Sequence, residues 1–349
     1  MKTNHLVFLL CFVSILGSSC GLFDRIPDFN DGCLKEGNDK LVFETLVGPD
    51  TTHPSKVSIF FKLDDTDGYG IPNLTENDFG FYEKGANDDC HLLISSSEAE
   101  RKIIKAPQEF QYNVTLVLDL SGSVVKDHLV ELQKAAIEFI EIAESGAASS
   151  RLQMEIWWFD GEEALHSLVP LTNDFSLMKS GVNNILPSIS TDNSTDLYGG
   201  IIQAVAATES SLNNLPTNII SGSSIIIFTD GKDRAQRETQ ANVVSTIMNA
   251  DERISFYTIG LGSEIVKSDL KTIGQDGFIY AKNEDDLIES FTDLGLIVTS
   301  EANSYYFFEY CSPVRSGKVS LMIQAKYKSK KGELEIEYDA TDFSGGCSL

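Results

Sequence analysis

Asp119-Leu120-Ser121-Gly122-Ser123 sets one carboxylate and two hydroxyls at alternate positions. A strand-forming run, Val114-Thr115-Leu116-Val117-Leu118, precedes it, and a long amphipathic helical pattern follows. On a loop between a buried strand and a helix, such side chains can turn toward one hard cation. Magnesium suits oxygen ligands of this kind and usually keeps positions for water or an outside ligand. Five residues of this pattern also occur by chance, so their weight depends on ligands from elsewhere in the chain. Two segments supply them. Thr195 stands in Asn193-Ser194-Thr195-Asp196-Leu197-Tyr198-Gly199-Gly200, just before a helical pattern, and Asp230 in Phe228-Thr229-Asp230-Gly231, just after a strand pattern. In an open α/β sheet, ligands bind beyond the carboxyl ends of the strands. Asp119, Ser121, Ser123, Thr195 and Asp230 are therefore expected at one sheet edge. Asp160, Asp174 and Asp192 lie near the same loops and read as added negative potential rather than a second cation site.

The elements that must hold these groups follow from periodicity. Strand-like runs at residues 114–118, 154–159, 224–228 and 254–259, with a weaker one near 165–171, alternate with helical patterns at about 124–145, 175–184, 197–212, 237–250 and 285–299. In the first helix Val125, Leu129, Leu132, Ala136, Phe139, Ile140 and Ala143 share one face, and Gly146 can end it. Ile225-Ile226-Ile227-Phe228 shows no alternation, as suits a parallel strand covered by helices on both faces. The order predicts an α/β fold with a doubly wound, mostly parallel sheet and right-handed crossovers.

β-like patterns flank this region. Residues 41–108 carry short strands and turn clusters, including Asp64-Asp65-Thr66-Asp67-Gly68, which reads as a solvated turn rather than a calcium loop. After Ser304, in residues 304–349, come the aromatic run Tyr305-Tyr306-Phe307-Phe308-Glu309-Tyr310 and two alternating strands. The later strands are too few for a separate domain and leave exposed edges. They are expected to join the N-terminal strands in a small antiparallel β-sandwich with the α/β domain inserted between. Four cysteines allow three pairings and the sequence does not choose among them; a disulfide from Cys33 or Cys90 to Cys311 or Cys347 would fix that junction.

Residues 109–303 resemble a von Willebrand factor type A domain with a metal-ion-dependent adhesion site. The family pattern is D-x-S-x-S, a distant Thr and a later Asp, and Asp119, Ser121, Ser123, Thr195 and Asp230 match those roles. Thr195-Asp196-Leu197-Tyr198 is similar to the family's threonine loop, and Ile259-Gly260-Leu261-Gly262 to the end of a late core strand. The resemblance implies a bound divalent cation, magnesium first, with manganese or calcium as alternatives. It further implies that the serines bind the metal directly, the threonine directly or through water, and the aspartates through water or by hydrogen bonds to the serines. A cation with few direct anionic ligands keeps an exchangeable position that a partner's Asp or Glu can fill. Ile71-Pro72-Asn73-Leu74-Thr75-Glu76-Asn77-Asp78-Phe79 is similar to immunoglobulin-like modules that precede this domain in bacterial envelope proteins.

The N-terminus reads as an export signal, residues 1–19. Lys2 is the charged start, residues 6–16 are almost wholly apolar, and Gly17-Ser18-Ser19 supplies small residues before Cys20. Cys20 sits where a bacterial lipoprotein carries its acylated cysteine, although Leu16 is one residue farther away than in that motif. Lipidation of Cys20 leaves Cys33, Cys90, Cys311 and Cys347, an even number for an oxidising compartment. Residues 20–40 read as a tether. The expected location is the cell envelope, as an outer-membrane lipoprotein, or secreted if Cys20 is not lipidated. A formal charge of −25 argues against nucleic acid and against anionic membrane surfaces, leaving the lipid as the only membrane contact.

Catalysis is disfavoured. His5, His53, His91, His128 and His166 form no zinc spacing, and no nucleophile elbow stands out. The expected function is metal-dependent protein binding or adhesion. The alternative is a structural or regulatory subunit of an envelope complex with a permanently occupied metal site.

Overall fold

The computed structural model describes residues 33–34, 40–105, 109–146 and 148–349. The expected signal peptide, Cys20 and nearly all of the tether lie outside the described residues.

In chain order the elements are β1 (Leu41–Thr52), β2 (Lys56–Asp65), β3 (Phe79–Gly85), β4 (Leu92–Leu93), β5 (Arg101–Lys105), β6 (Phe110–Asp119), α1 (Leu129–Ser145), β7 (Leu152–Phe159), β8 (His166–Thr172), α2 (Phe175–Asn183), α3 (Leu197–Asn213), β9 (Ile220–Thr229), α4 (Gln240–Met248), β10 (Ile254–Leu261), α5 (Lys267–Ile273), β11 (Gly277–Ala281), α6 (Glu284–Ala302), β12 (Tyr305–Cys311), β13 (Lys318–Tyr327) and β14 (Lys330–Asp339).

The central sheet has six strands in the order β11-β10-β9-β6-β7-β8. All neighbours are parallel except the β7–β8 hairpin. The unalternating runs are explained by burial on both faces. Ile226 and Phe228 of β9 join Leu116 and Leu118 of β6 in a core shared with α1, α2 and α6. Ile225, Ile227 and Val117 point the other way, into a core shared with α3, α4 and α5. This matches the α/β reading. The sequence reading missed α5 and β11: the first is short, and the second is only half buried, so neither carries a strong periodic signal.

Strands from both ends of the chain build two antiparallel sheets, β1-β2-β12-β5 and β14-β13-β3-β4. Their inner faces enclose Phe61, Phe79, Phe81, Tyr306, Phe308 and Tyr310. Phe81 stacks on Phe308 with ring centroids 4.2 Å apart. The aromatic run of β12 lacks alternation for the reason β9 does. Tyr306, Phe308 and Tyr310 fill the sandwich, while Tyr305 and Phe307 turn outward to meet Phe60, Phe110 and Tyr112 beneath the α/β domain. Each such buried ring contributes about 1.5–3 kcal/mol. Gly222 on β9 lets this seam close, since a Cβ there would lie 2.5 Å from the Tyr305 hydroxyl. Beside it, Glu301 of α6 is buried and accepts from Lys62 Nζ at 2.8 Å and from the Gly70 amide at 2.6 Å.

The disulfides take one of the three pairings that the sequence leaves open. Cys33 pairs with Cys90 and Cys311 with Cys347, so neither bond crosses from an N-terminal to a C-terminal cysteine. Cys33 makes an isolated bridge with Leu92, which places it beside Cys90. The C-terminal segment turns back at Phe343, and the Ser344 amide donates to the Pro54 carbonyl at 2.8 Å, which brings Cys347 to the end of β12. Pairing of β2 with β12 and of β3 with β13 joins the two halves instead.

The hairpin between β13 and β14 closes through a two-residue turn. Tyr327 faces Lys330, leaving Lys328 and Ser329 as the turn, with Lys328 at φ 54°. The acidic turn near Asp65 is a clamped turn. Asp65 Oδ1 accepts from the amides of Asp67 and Tyr69, and its Oδ2 takes Lys330 Nζ at 2.7 Å.

Candidate metal centre

β6 runs from the sandwich seam at Phe110 to Asp119 at the opposite end of the sheet. Its ten residues span roughly 30 Å at about 3.3 Å per residue. Leu120, fully buried, anchors the following loop in the core, and its amide donates to the Phe159 carbonyl at 2.8 Å. The expected helix from Val124 opens with a π turn, Val124–His128. His128 then leaves the helical region at φ −131° before α1 starts. Single π turns recur at functional sites, where they re-aim the residues of a first turn.

The loop carrying Thr195 is laid against this first loop. Gly122 donates its amide to the Asn193 carbonyl at 3.3 Å, and a Cβ at Gly122 would collide with the Asn193 side chain at 2.7 Å. Asp160 organises the same loop from beneath. Its Oδ2 accepts from the Thr191 amide at 2.9 Å, the Asp192 amide at 3.1 Å and the Ser190 hydroxyl at 3.0 Å. Its Oδ1 accepts from the Glu162 amide at 2.8 Å, and its carbonyl from the Asp196 amide at 2.7 Å. Burial raises the Asp160 pKa, but these hydrogen bonds outweigh it and hold the carboxyl below the ordinary range. Both oxygens of Asp160 are thus engaged in shaping the loop. Asp192 closes a local turn onto the Ser194 amide at 2.9 Å, and Asp174 caps α2 through the Leu177 amide at 3.0 Å.

The third segment locks onto the other two. Thr229 Oγ1, at the end of β9, donates to Asp119 Oδ2 at 2.6 Å. The amides of Arg234 and Ala235 donate to the Thr195 carbonyl at 2.9 and 3.0 Å. The Tyr198 amide donates to Asp233 Oδ1 at 3.2 Å. Asp119, Ser121, Ser123, Thr195 and Asp230 therefore lie on three loops stitched together at one end of the sheet. Sequence reasoning missed Thr229, Asn193 and the organising role of Asp160. The position of Thr229 beside Asp230 was a usable signal; Asn193 and Asp160 act only through loop packing.

The electrostatics of this end are unusual. Asp119 and Ser121 are wholly buried, Thr195 and Asp230 nearly so, and Ser123 is exposed. Burial, and then the nearby Asp230 carboxylate, push Asp119 up to about 7. Burial also raises Asp230, opposed by the nearby Ser123 hydroxyl and His128. His128 Nδ1 is in turn held 3.0 Å from Glu284 Oε1 on α6. Ser121 Oγ lies close enough to Asp119 to favour its charged form, yet no hydrogen bond of ordinary geometry satisfies it. Asp230 Oδ1 is also buried without a partner. A buried polar atom left so costs about 1–3 kcal/mol. Two crowded carboxylates, an orphaned hydroxyl oxygen and an orphaned carboxylate oxygen form a donor set that fits a hard divalent cation.

Among the described residues, Asp160, Glu162 and His166 also bring ligand atoms within 4.8 Å of one another. Asp160 is already committed to the loop, and the His166 ring stacks on Trp158 at 4.2 Å. No helix among the described residues is long and apolar enough to cross a membrane.

No curated protein matches the chain. A von Willebrand factor type A structure from Catenulispora acidiphila is 13% identical, with 87% of this chain and 74% of that one aligned at a TM-score of 0.46. The conserved hypothetical protein BatB from Bacteroides thetaiotaomicron is 15% identical over 55% of this chain and 100% of its own, at 0.43. Proximal thread matrix protein 1 from the mussel byssus, solved with a zinc-occupied MIDAS motif, is 17% identical over 55% of this chain, at 0.44. The chain spans about half of that mussel protein, 48% of its length. The model of the von Willebrand factor type A domain matches residues 113–294, over half of the chain, and the chain belongs to that family.

Proposed function

We propose that this is an extracytoplasmic, lipid-anchored protein that binds a protein partner through a divalent cation, magnesium first. Ser121, Ser123 and Thr195 would hold the ion, with Asp119 and Asp230 completing and balancing its surroundings. Bound there, the cation supplies a Lewis-acidic position that accepts a carboxylate from an Asp or Glu of the partner. The observation that carries this reading is the pairing of Asp119, raised to about 7, with the buried, unpartnered Ser121 Oγ and Asp230 Oδ1. Without a cation, the buried charge and the two unpartnered oxygens weaken the fold.

The placement of the site supports an anchored binding role. The described chain begins in the sandwich, with Cys33 bonded to Cys90 and the Lys40 amide donating to Lys331. The loops around Asp119 lie at the far end of β6. An anchor at Cys20 would therefore present the site away from the membrane. Binding is favoured over catalysis because the carboxylate beside Ser121, that of Asp119, already accepts from the Ser121 amide and the Thr229 hydroxyl.

Thermal or chemical unfolding of metal-stripped protein with added magnesium, manganese, calcium or zinc tests the reading. A metal that binds only the native state should stabilise it by about 2.7 kcal/mol at a hundredfold excess over its dissociation constant. Ser121→Ala should erase that gain. The absence of stabilisation by all four metals, in protein that folds normally, would sink the proposal.

A further inference from the structure

We propose that Asp160, Glu162 and His166 form a second metal site, which takes a borderline transition metal ion, zinc first. It is independent of the reading above and shares no residue with the Asp119 site. β7 ends at Phe159 and β8 begins at His166, so all three residues lie on one hairpin. One ligand atom from each, an imidazole nitrogen and two carboxylate oxygens, lies within 4.8 Å of the other two. The sequence shows no zinc spacing around His166, because strand pairing, with Trp158 opposite His166, is what returns it to the acidic loop.

The imidazole separates this group from a crowd of surface acids. His166 Nε2 is sealed from solvent and has no hydrogen-bond partner. It faces Glu162 Oε2 at 3.6 Å, beyond hydrogen-bond distance. The ring stacks on Trp158 with planes 17° apart, which holds the nitrogen in that direction. A buried nitrogen without a partner is costly, and a metal bond to the neutral ring would satisfy it. Asp160 retains capacity beyond its work in the loop. Its Oδ1 accepts one hydrogen bond, from the Glu162 amide at 2.8 Å, and so keeps a lone pair. The hydrogen bonds to its Oδ2 from Ser190, Thr191 and Asp192 fix the carboxylate, as a ligating carboxylate requires. Glu162 is exposed, and its Oε1 accepts from the Thr191 hydroxyl, leaving Oε2 toward His166. Arg237, whose guanidinium reaches the Gly161 carbonyl, pairs with Asp196 instead. One nitrogen and two carboxylate oxygens, with positions left for water, suit zinc, whose bonds of about 2.0–2.2 Å would draw the exposed Glu162 inward. Magnesium and calcium prefer oxygen alone.

Calorimetric titration of zinc into metal-stripped, untagged Ser121→Ala protein tests the site with the Asp119 centre disabled. Zinc should bind roughly a hundredfold more tightly than magnesium, and the ring protons of His166 should shift with it in NMR spectra. Glu162→Gln and His166→Gln should each weaken zinc by about tenfold or more. Placed in the chain with Ser121 intact, both variants should leave its magnesium response unchanged. The stabilisation that Ser121→Ala erases is the part owed to the Asp119 site, and zinc held by the second site should keep its own. Zinc bound no more tightly than magnesium, zinc binding untouched by both variants, or an unshifted His166 ring overturns the proposal. Magnesium reports on the Asp119 site alone, so failure of one site and failure of the other are told apart.

Discussion

Replacing Asp119 with Asn should stabilise the metal-free protein at alkaline pH while abolishing its response to metal. Asp119 is wholly buried, and its carboxyl rises from the ordinary 3.8 to about 7. Below pH 3.8 the carboxyl is neutral in both the folded and unfolded chain and contributes no penalty. As pH rises, the unfolded chain ionises first while the folded one resists, so stability is lost progressively until about pH 7 and then levels off. At about 1.4 kcal/mol per pH unit, the full loss is roughly 4 kcal/mol, most of which falls between pH 5 and pH 8. The amide cannot ionise, but it gives up one acceptor, since Thr229 Oγ1 donates to Asp119 Oδ2 and the Ser121 amide to Oδ1. That exchange costs about 1 kcal/mol at every pH. Asp119→Asn should therefore match the wild type near pH 5 and exceed it by about 3 kcal/mol at pH 8. The assay is urea unfolding in metal-stripped buffers, followed by tryptophan fluorescence. Groups not coupled to Asp119 titrate alike in both proteins and cancel in the difference. With a hundredfold excess of metal, the wild type alone should recover about 2.7 kcal/mol. A stability difference that does not change between pH 5 and pH 8, or a variant less stable than wild type at pH 8, would refute the buried-charge reasoning.

Two further perturbations probe the frame. Glu301→Ala removes one of two carboxylates from the half-buried Lys62 ammonium, which keeps Asp64 at 3.0 Å, and strands the Gly70 amide, and should cost about 1–3 kcal/mol in chemical denaturation; no measurable loss would show that water replaces the carboxylate. Replacing both Cys33 and Cys90 with Ser opens a loop with a separation of 57 residues, and should lower stability by about 4 kcal/mol if chain entropy dominates, while leaving the dissociation constant for metal unchanged at the far end of β6.

The α/β core was legible because burial on both faces leaves an unmistakable run of apolar residues, as in Ile225-Ile226-Ile227-Phe228. The same rule explains the aromatic run of β12, although sequence alone could not say that its outer face meets Phe60 and Phe110. α5 and β11 escaped notice because short, half-exposed elements carry little periodic signal. The five candidate ligands could be listed from residue type and strand context. The groups that set their charge and position could not, since Thr229, Asn193 and Asp160 act across loops distant in sequence.

By itself, the sequence determined what is local: oxygen side chains at the carboxyl ends of predicted strands, the two-faced burial of those strands, and the cysteines available for pairing. The tertiary structure decided what depends on neighbours across space. It chose Cys33–Cys90 and Cys311–Cys347 because strand pairing, not spacing, sets which cysteines meet. It also brought Asp119 beside Asp230 in a buried end of the sheet, where the charge of each is costly and a cation would relieve both.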